Sequence, residues 1–274
     1  FPKRKNYTMK VLIIGGGNMG NTFAESFLSA HIIRPKDLVI LETNPQRAQY
    51  LREKDRGTIY QTPGSYINEA DLVVLAVKPQ DAESVYPVIR PYLTPDTLVL
   101  SIMAGVRLAS IEKGLGISKI IRSMPNLPAQ VGMGMTAFTA KEEVSRKELI
   151  EVQNLLSTTG RAIYFDDERM IDAATAISGS GPAYVYYFMK FMIEAAMELG
   201  FTESQAELLV WQTFMGAMQL HNKSALSCDE WINRVASKGG TTEAALHIFE
   251  GSHLGTAIHN GVIAAFKRAE ELGG

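Results

Sequence analysis

Residues 11–27 read VLIIGGGNMGNTFAESF. A β-branched run stops at three glycines, and a helix-like pattern follows. Gly15-x-Gly17-x-x-Gly20 at such a junction is the spacing that receives the pyrophosphate of a dinucleotide. Gly15 permits the tight turn, Gly17 lets the anion approach the backbone, and Gly20 lets the helix lie close to the sheet. Free N–H groups near Asn18 and Met19, at the positive end of the helix, would hold the anion. Glu42 ends the next apolar run, roughly 20 residues on, where a carboxylate accepts the ribose hydroxyls of the adenosine. A carboxylate there repels a 2′-phosphate, so of NADH and NADPH the expectation tilts toward NADH. Thr43 and Asn44 stand where a phosphate-binding arginine is customary, and Arg47 follows a turn later.

A second constellation lies at VASKGGTTEAAL, residues 235–246. Gly239-Gly240-Thr241-Thr242 precedes a helical pattern with Glu243 in its first turn. The plain reading is a helix cap. The sharper one is an anion nest of exposed N–H groups with hydroxyls from Ser237, Thr241 and Thr242, suited to a small carboxylate. SGSGPAY, residues 178–184, reads as a close-packing turn between helices.

These residues need elements to position them. Apolar runs at 10–14, 38–42, 71–77 and 97–102, with a weaker one at 118–124, alternate with helical patterns at 18–30, 46–54, 80–89 and 107–113. Strands apolar on both faces and spaced by helices make a parallel sheet covered on both sides. Segments 132–140 and 160–165, with a helix over 142–157, extend it. Ligands bind such a sheet at the carboxyl ends of its strands, which here read AVKPQ (76–80), SIMAG (101–105) and RSMPNLP (122–128). Lys78 reads as a neighbour of the cofactor rather than a reacting group. Asn126, between two prolines, either meets the nicotinamide amide or caps its own turn. Beyond 165 only helical patterns appear: one over 167–200 with a Gly-Pro interruption, then 202–222, 228–237, 241–250 and 254–272. Thr202-x-x-Gln205 reads as a capping box. The expected organisation is α/β: a tail over 1–8 with Met9 as a candidate start, a Rossmann-type doubly wound sheet over 9–165, and an all-helical domain over 166–274.

The late helices are apolar around most of their circumference, as in PAYVYYFMKFMIEAAM. One small domain cannot bury several such helices, so an oligomer is expected. The methionines frequent there read as core filling.

The 274 residues carry 27 Lys plus Arg against 29 Asp plus Glu. The basic excess of a nucleic-acid binder is missing. No apolar run reaches the roughly 18–20 residues that span a bilayer. The one cysteine, Cys228, cannot staple the fold, and no Cys/His spacing suggests zinc or another metal. A reducing, cytoplasmic setting is the natural expectation.

IIGGGNMG, AVKPQ, MAGV, RSMPNLPAQVGMGMTAF, SGSGPAYV and SKGGTTEAAL follow one another in this order. In this the chain resembles the pyrroline-5-carboxylate reductases along essentially its whole length after Met9. The resemblance implies a Rossmann domain and a helical dimerisation domain, in dimers that often join into rings, commonly decamers. It implies reduction of 1-pyrroline-5-carboxylate to L-proline, the last step of proline biosynthesis, by hydride transfer from NADPH or NADH to the cyclic imine. It implies a pyrophosphate at Gly15 to Gly20, with Asn44 near the adenosine 2′ position and Ser65 near the adenosine. Ala76, Val77, Lys78 and Pro79, with Ala104 and Gly105, would line the cofactor. Ser237, Gly240, Thr241 and Thr242 would bind the substrate, with Thr242 nearest the imine nitrogen and the sole catalytic candidate. The sequence departs from the family where Lys238 replaces a proline, Leu127 a threonine and Met133 a glutamate, and where Gly-Leu-Arg reads His253-Leu254-Gly255. None of these removes the carboxylate nest.

Two other readings stand beside it. A β-hydroxyacid dehydrogenase also joins a Rossmann domain to helices, but it resembles proteins with a catalytic lysine one turn after a Gly-x-Gly, and here that position is Val185. A non-catalytic dinucleotide sensor is the other.

Overall fold

The computed structural model describes residues 9–273, so the tail read at 1–8 lies outside the described residues. The chain forms two compact units. One comprises the residues up to Ser180 and those from Ala265 onward; the other is Gly181–Ala264. Strands cease at Tyr164, and the units part later, at Ser180–Gly181.

The first unit is built on one sheet. Its first strands are β1 (Val11–Ile14), β2 (Leu38–Leu41), β3 (Thr58–Tyr60), β4 (Leu72–Leu75) and β5 (Leu98–Ser101). β6 (Ile120–Met124), β7 (Gly134–Ala140) and β8 (Gly160–Tyr164) complete it. The order is β3-β2-β1-β4-β5-β6-β7-β8. Every residue of β1, β4 and β5 is buried, because helices cover both faces. Alternation sorts the side chains: Val11 and Ile13 join one core with Phe23, Phe27 and Leu51, while Leu12 and Ile14 join the other with Tyr86 and Ile111. The helices are α1 (Asn18–Ser29), α2 (Pro45–Glu53), α3 (Ala82–Ile89), α4 (Leu108–Leu115) and α5 (Arg146–Leu156).

Two features depart from the expected sheet. β3 is a three-residue edge strand with an alternating exposed pattern. It has no apolar run to announce it, and pairing with β2 alone defines it. β7 runs antiparallel to β6, since the short connection over 125–133 is too brief for a parallel crossover. β7 and β8 are again parallel, with α5 between them. The change of winding direction falls between β1 and β4, the place where such sheets bind ligands.

After β8, α6 (Arg169–Ala174) and a π-helical turn, Thr175–Gly179, close the first unit. The second unit contains only helices among its described residues: α7 (Gly181–Glu198), α8 (Glu203–Asn222), α9 (Cys228–Val235), α10 (Thr241–Gly251) and the start of α11 (Leu254–Leu272). The capping box expected at Thr202 and Gln205 is formed. Tyr187, Phe191, Leu208, Trp211 and Ile248 are exposed on the single chain. So are Met192, Met197 and Met218, which therefore do not fill the core of one chain. This is more apolar surface than a single chain ordinarily leaves exposed.

Candidate dinucleotide and substrate sites

The glycine turn joins β1 to α1 at the switch point. Gly15 has φ +100°, and a Cβ on it would come within 2.8 Å of the Ala76 carbonyl oxygen at the end of β4. A Cβ on Gly20 would overlap the Gly15 carbonyl oxygen, so α1 lies against the turn as only glycine allows. Around Gly17 a Cβ would meet nothing within 4 Å; this is the open face of the cradle. The first bond within the helix runs from the Asn21 N–H to the Gly17 carbonyl. That leaves the N–H groups of Gly17, Asn18, Met19 and Gly20 without acceptors among the described residues. α1 has no acidic residue in its first turn to compete for them. The shape and the donors fit a dinucleotide pyrophosphate.

Glu42 does not point away from this turn. Its Oε2 accepts the Gly16 N–H at 2.8 Å, and its Oε1 accepts the Asn44 N–H at 2.8 Å. The Asn44 side chain caps α2 by accepting the Arg47 N–H at 3.0 Å. Arg47 Nε donates to the Gly16 carbonyl at 2.6 Å. Ser65 is exposed and opens a short turn beyond β3. The next residue, Tyr66, stacks on Tyr60 at 3.8 Å between centroids, and burial pushes its phenol up to about 12.

Ala76 and Val77 follow β4 and are half-buried; Lys78 and Pro79 are exposed. Lys78 begins a short turn and has no partner for its ammonium among the described residues. Ala104 is half-buried. Gly105, with φ +75°, is buried, and a Cβ on it would come within 3.1 Å of Leu272 in α11. Asn126 is engaged on both sides: its Oδ1 accepts the Met135 N–H at 2.8 Å and its Nδ2 donates to the Ser178 carbonyl at 2.9 Å. It ties the loop to β7 and to the π-helical segment and makes no side-chain cap on its own turn, so the expected capping is not formed. Gly179 packs against Met124, where a Cβ would come within 2.8 Å of the Met124 methyl. The close approach is therefore to β6 and not, as expected from SGSGPAY, between helices; around Gly181 a Cβ would meet nothing within 4 Å.

In the second unit, α10 begins without a side-chain cap. Its N-cap is Gly240, whose N–H donates to the Ser237 carbonyl at 2.9 Å. The first bond within the helix runs from the Ala244 N–H to the Gly240 carbonyl. The Thr241, Thr242 and Glu243 N–H groups, and both threonine hydroxyls, have no acceptor or donor among the described residues. Glu243 folds back to accept the Gly239 N–H at 2.6 Å. A Cβ on Gly240 would lie 2.5 Å from Ser237 Oγ, so Ser237 stands against the N-cap of the helix that Thr241 and Thr242 begin. Lys238 is exposed beside it.

Gly16 of the first site, and a buried ion cluster behind the Ala104–Gly105 turn, carry no motif that would single them out. Gly16 sits at an unspecified position of the glycine spacing, yet a Cβ there would strike Leu51 of α2. Arg122, 1% exposed on β6, pairs with Glu168 at 2.9 Å and Asp172 at 2.5 Å. Glu168 also accepts the Leu108 N–H at 2.8 Å, bracing α4 just after the Ala104–Gly105 turn. An arginine within an apolar strand run was the available signal, since a buried guanidinium needs carboxylate partners.

A family model described as pyrroline-5-carboxylate reductase dimerisation matches residues 168–272, and one described as NADP oxidoreductase, coenzyme F420-dependent, matches residues 10–105. The chain is 34% identical over 266 residues to a pyrroline-5-carboxylate reductase of Pseudomonas aeruginosa, covering 97% of both proteins. It is 33% identical to pyrroline-5-carboxylate reductase 2 of Bacillus subtilis, over 96% of this chain and 95% of that protein. The solved pyrroline-5-carboxylate reductase of Coxiella burnetii superposes with a TM-score of 0.89 at 33% identity, covering 97% of this chain and 99% of the other. The Plasmodium falciparum pyrroline carboxylate reductase, solved with NADP bound, superposes with a TM-score of 0.87 at 28% identity, covering 97% and 98%.

Proposed function

This chain belongs to the pyrroline-5-carboxylate reductase family, and from that premise we propose how its own residues divide the work of the reaction. The protein is an NAD(P)H-dependent oxidoreductase that reduces 1-pyrroline-5-carboxylate to L-proline. The reduced nicotinamide supplies the hydride for the imine carbon; the chain binds, orients and excludes water.

In our reading the turn from Gly15 to Gly20 takes the pyrophosphate on the N–H groups of Gly17, Asn18 and Met19. Ala76 to Pro79 and Ala104 line the strand ends beside the cofactor, and Ser65 lies toward the adenosine. Glu42 selects NADH. Two backbone N–H groups hold its carboxylate in place, so it cannot swing aside to admit a 2′-phosphate without abandoning both.

The substrate carboxylate is assigned to the α10 cradle, with Ser237, Gly240 and Thr241 as its donors and Thr242 bonded to the ring nitrogen. A threonine hydroxyl is too weak an acid to protonate an imine, so Thr242 orients the nitrogen and the proton arrives on the substrate or through water. The observation that carries this assignment is the uncapped start of α10 with two unpartnered threonine hydroxyls. Thr242→Ala is expected to lower kcat/KM for the imine by about 10- to 100-fold, the scale of one or two hydrogen bonds to a charged group, while Thr242→Ser retains most of it. Unchanged kinetics in the alanine variant would remove Thr242 from the site. Initial rates with NADH and NADPH at matched concentrations test Glu42: a lower KM for NADPH would place its carboxylate away from the ribose.

The chain carries the family's dimerisation domain, and we assign the working form to a homodimer that joins others into a ring, such as a decamer. Among the described residues no helix is long and apolar enough to cross a membrane. With the free thiol of Cys228 exposed, a reducing cytoplasm is the setting we assign.

A further inference from the structure

We propose that Arg47 is a positioning residue for the dinucleotide: together with Glu42 it holds the two peptides that flank the Gly16 Cα, one each, and so fixes the glycine turn in its anion-receiving shape. The inference rests on the reading that this turn holds the pyrophosphate. Three consecutive glycines have no side chains to set their conformation, and each tolerates either sign of φ. Left alone, such a turn would lose part of its binding energy to ordering.

The structure supplies the missing constraint from the β2–α2 corner. The Gly16 N–H goes to Glu42 and the Gly16 carbonyl receives Arg47 Nε. Glu42 also holds the Asn44 N–H, and Asn44 in turn holds the Arg47 N–H. The four residues close a ring of hydrogen bonds that runs through the backbone of Gly16. The Arg47 guanidinium lies 4.8 Å over the Tyr50 ring, which steadies it further. A flip of the Gly15–Gly16 peptide would break the Glu42 bond and turn the Gly15 carbonyl toward the carboxylate; a flip of the Gly16–Gly17 peptide would break the Arg47 bond and turn the Gly17 N–H toward the guanidinium. The clamp therefore specifies the orientation of both peptides. It also takes the Gly16 N–H out of the anion-binding set and leaves the work to Gly17, Asn18 and Met19.

On this account Arg47 serves the part of the cofactor that NADH and NADPH share. Arg47→Met keeps the aliphatic stem and removes the donor; Arg47→Lys keeps one donor and the charge. Both variants and the unmodified enzyme would be assayed with each cofactor, alongside NADH binding by fluorescence and a thermal midpoint. For Arg47→Met the expected result is a rise of about tenfold in KM for both cofactors, as one charge-assisted hydrogen bond is lost. Their ratio should move less than about twofold and kcat should hold, with Arg47→Lys recovering most of the loss. A rise confined to NADPH would make Arg47 a 2′-phosphate ligand and overturn the proposal. So would unchanged KM values, or a fall in kcat alone. If Arg47→Met folds poorly, the ratio of cofactor constants in Arg47→Lys decides by the same criterion. Failure of the underlying reading is separate: the unmodified enzyme would then bind neither cofactor.

Discussion

Gly17 and Gly20 belong to one fingerprint but answer to different constraints. Gly20 is needed by the fold, since a Cβ there would overlap the Gly15 carbonyl oxygen. Gly17 has open space around it and extended backbone angles, φ −61° and ψ −169°, that any residue adopts. Gly17→Ala is thus expected to fold with an unchanged thermal midpoint and to bind NADH at least about tenfold more weakly, because the methyl intrudes where the pyrophosphate approaches the backbone. Gly20→Ala is expected to lower the thermal midpoint as well, as α1 is pushed off the turn. A fluorescence titration and a melting curve on each variant distinguish the two cases. The fingerprint residues were legible because their spacing carries a geometric requirement. Gly16 was not, and Arg47 showed only as a cation a turn beyond Glu42: the bond that joins them spans residues 31 apart in sequence, at positions where no spacing rule applies. Glu42 was legible as a carboxylate at a strand end, but its backbone partners appear only once β2 lies beside β1.

The elements divide along similar lines. The strands buried on both faces, β1, β2, β4 and β5, announced themselves as apolar runs. β3 did not, because an edge strand of three residues has no such run to show, and the antiparallel step into β7 follows from a connection length rather than from any residue. One helix start, at Thr202 with Gln205, is read from its capping box. Among the described residues two more boxes are formed that are not read as such: Ser145 with Glu148, and Ser227 with Glu230. Ser145→Ala is expected to destabilise the first unit by about 1 kcal/mol, measured as a shift in the denaturant midpoint. The boxes differ in their response to acid. The Ser227 backbone N–H, and then its hydroxyl, hold the Glu230 carboxyl below the ordinary carboxylate range. A carboxyl whose folded-state value lies below its unfolded one stabilises fully above the unfolded value, and that contribution fades as pH falls through the lowered one. The α9 start should therefore loosen in acid while the α8 start, closed by an uncharged glutamine, does not. A carbon-detected titration of the Glu230 carboxyl should find its midpoint below that of a free glutamate, and Ser227→Ala, which removes the hydroxyl but keeps the backbone N–H, should bring it only part of the way back.

At the scale of the whole molecule, the second unit presents more apolar surface than a lone chain should expose. Tyr187, Phe191, Met192, Phe249, Ile258 and Val262 line a cavity of about 740 Å³ on it. In the family this domain is the one described by dimerisation, and a second copy is the expected cover. Phe191→Glu should shift the sedimentation profile toward monomer and lower solubility, since burying a carboxylate there costs more than the contact returns. The last stretch of α11 has a consequence of a different kind. Residues from Ala265 onward pack with the first unit, with Leu272 beside Gly105, Arg169 paired to Glu270 at 3.0 Å, and the Arg169 guanidinium 5.2 Å over the Phe266 ring. The helical unit is thus spliced into the other rather than strung after it, and two covalent links hold it instead of one. A protease that cuts once, in the segment between α6 and α7, would give two fragments on a denaturing gel and a single particle on a native one.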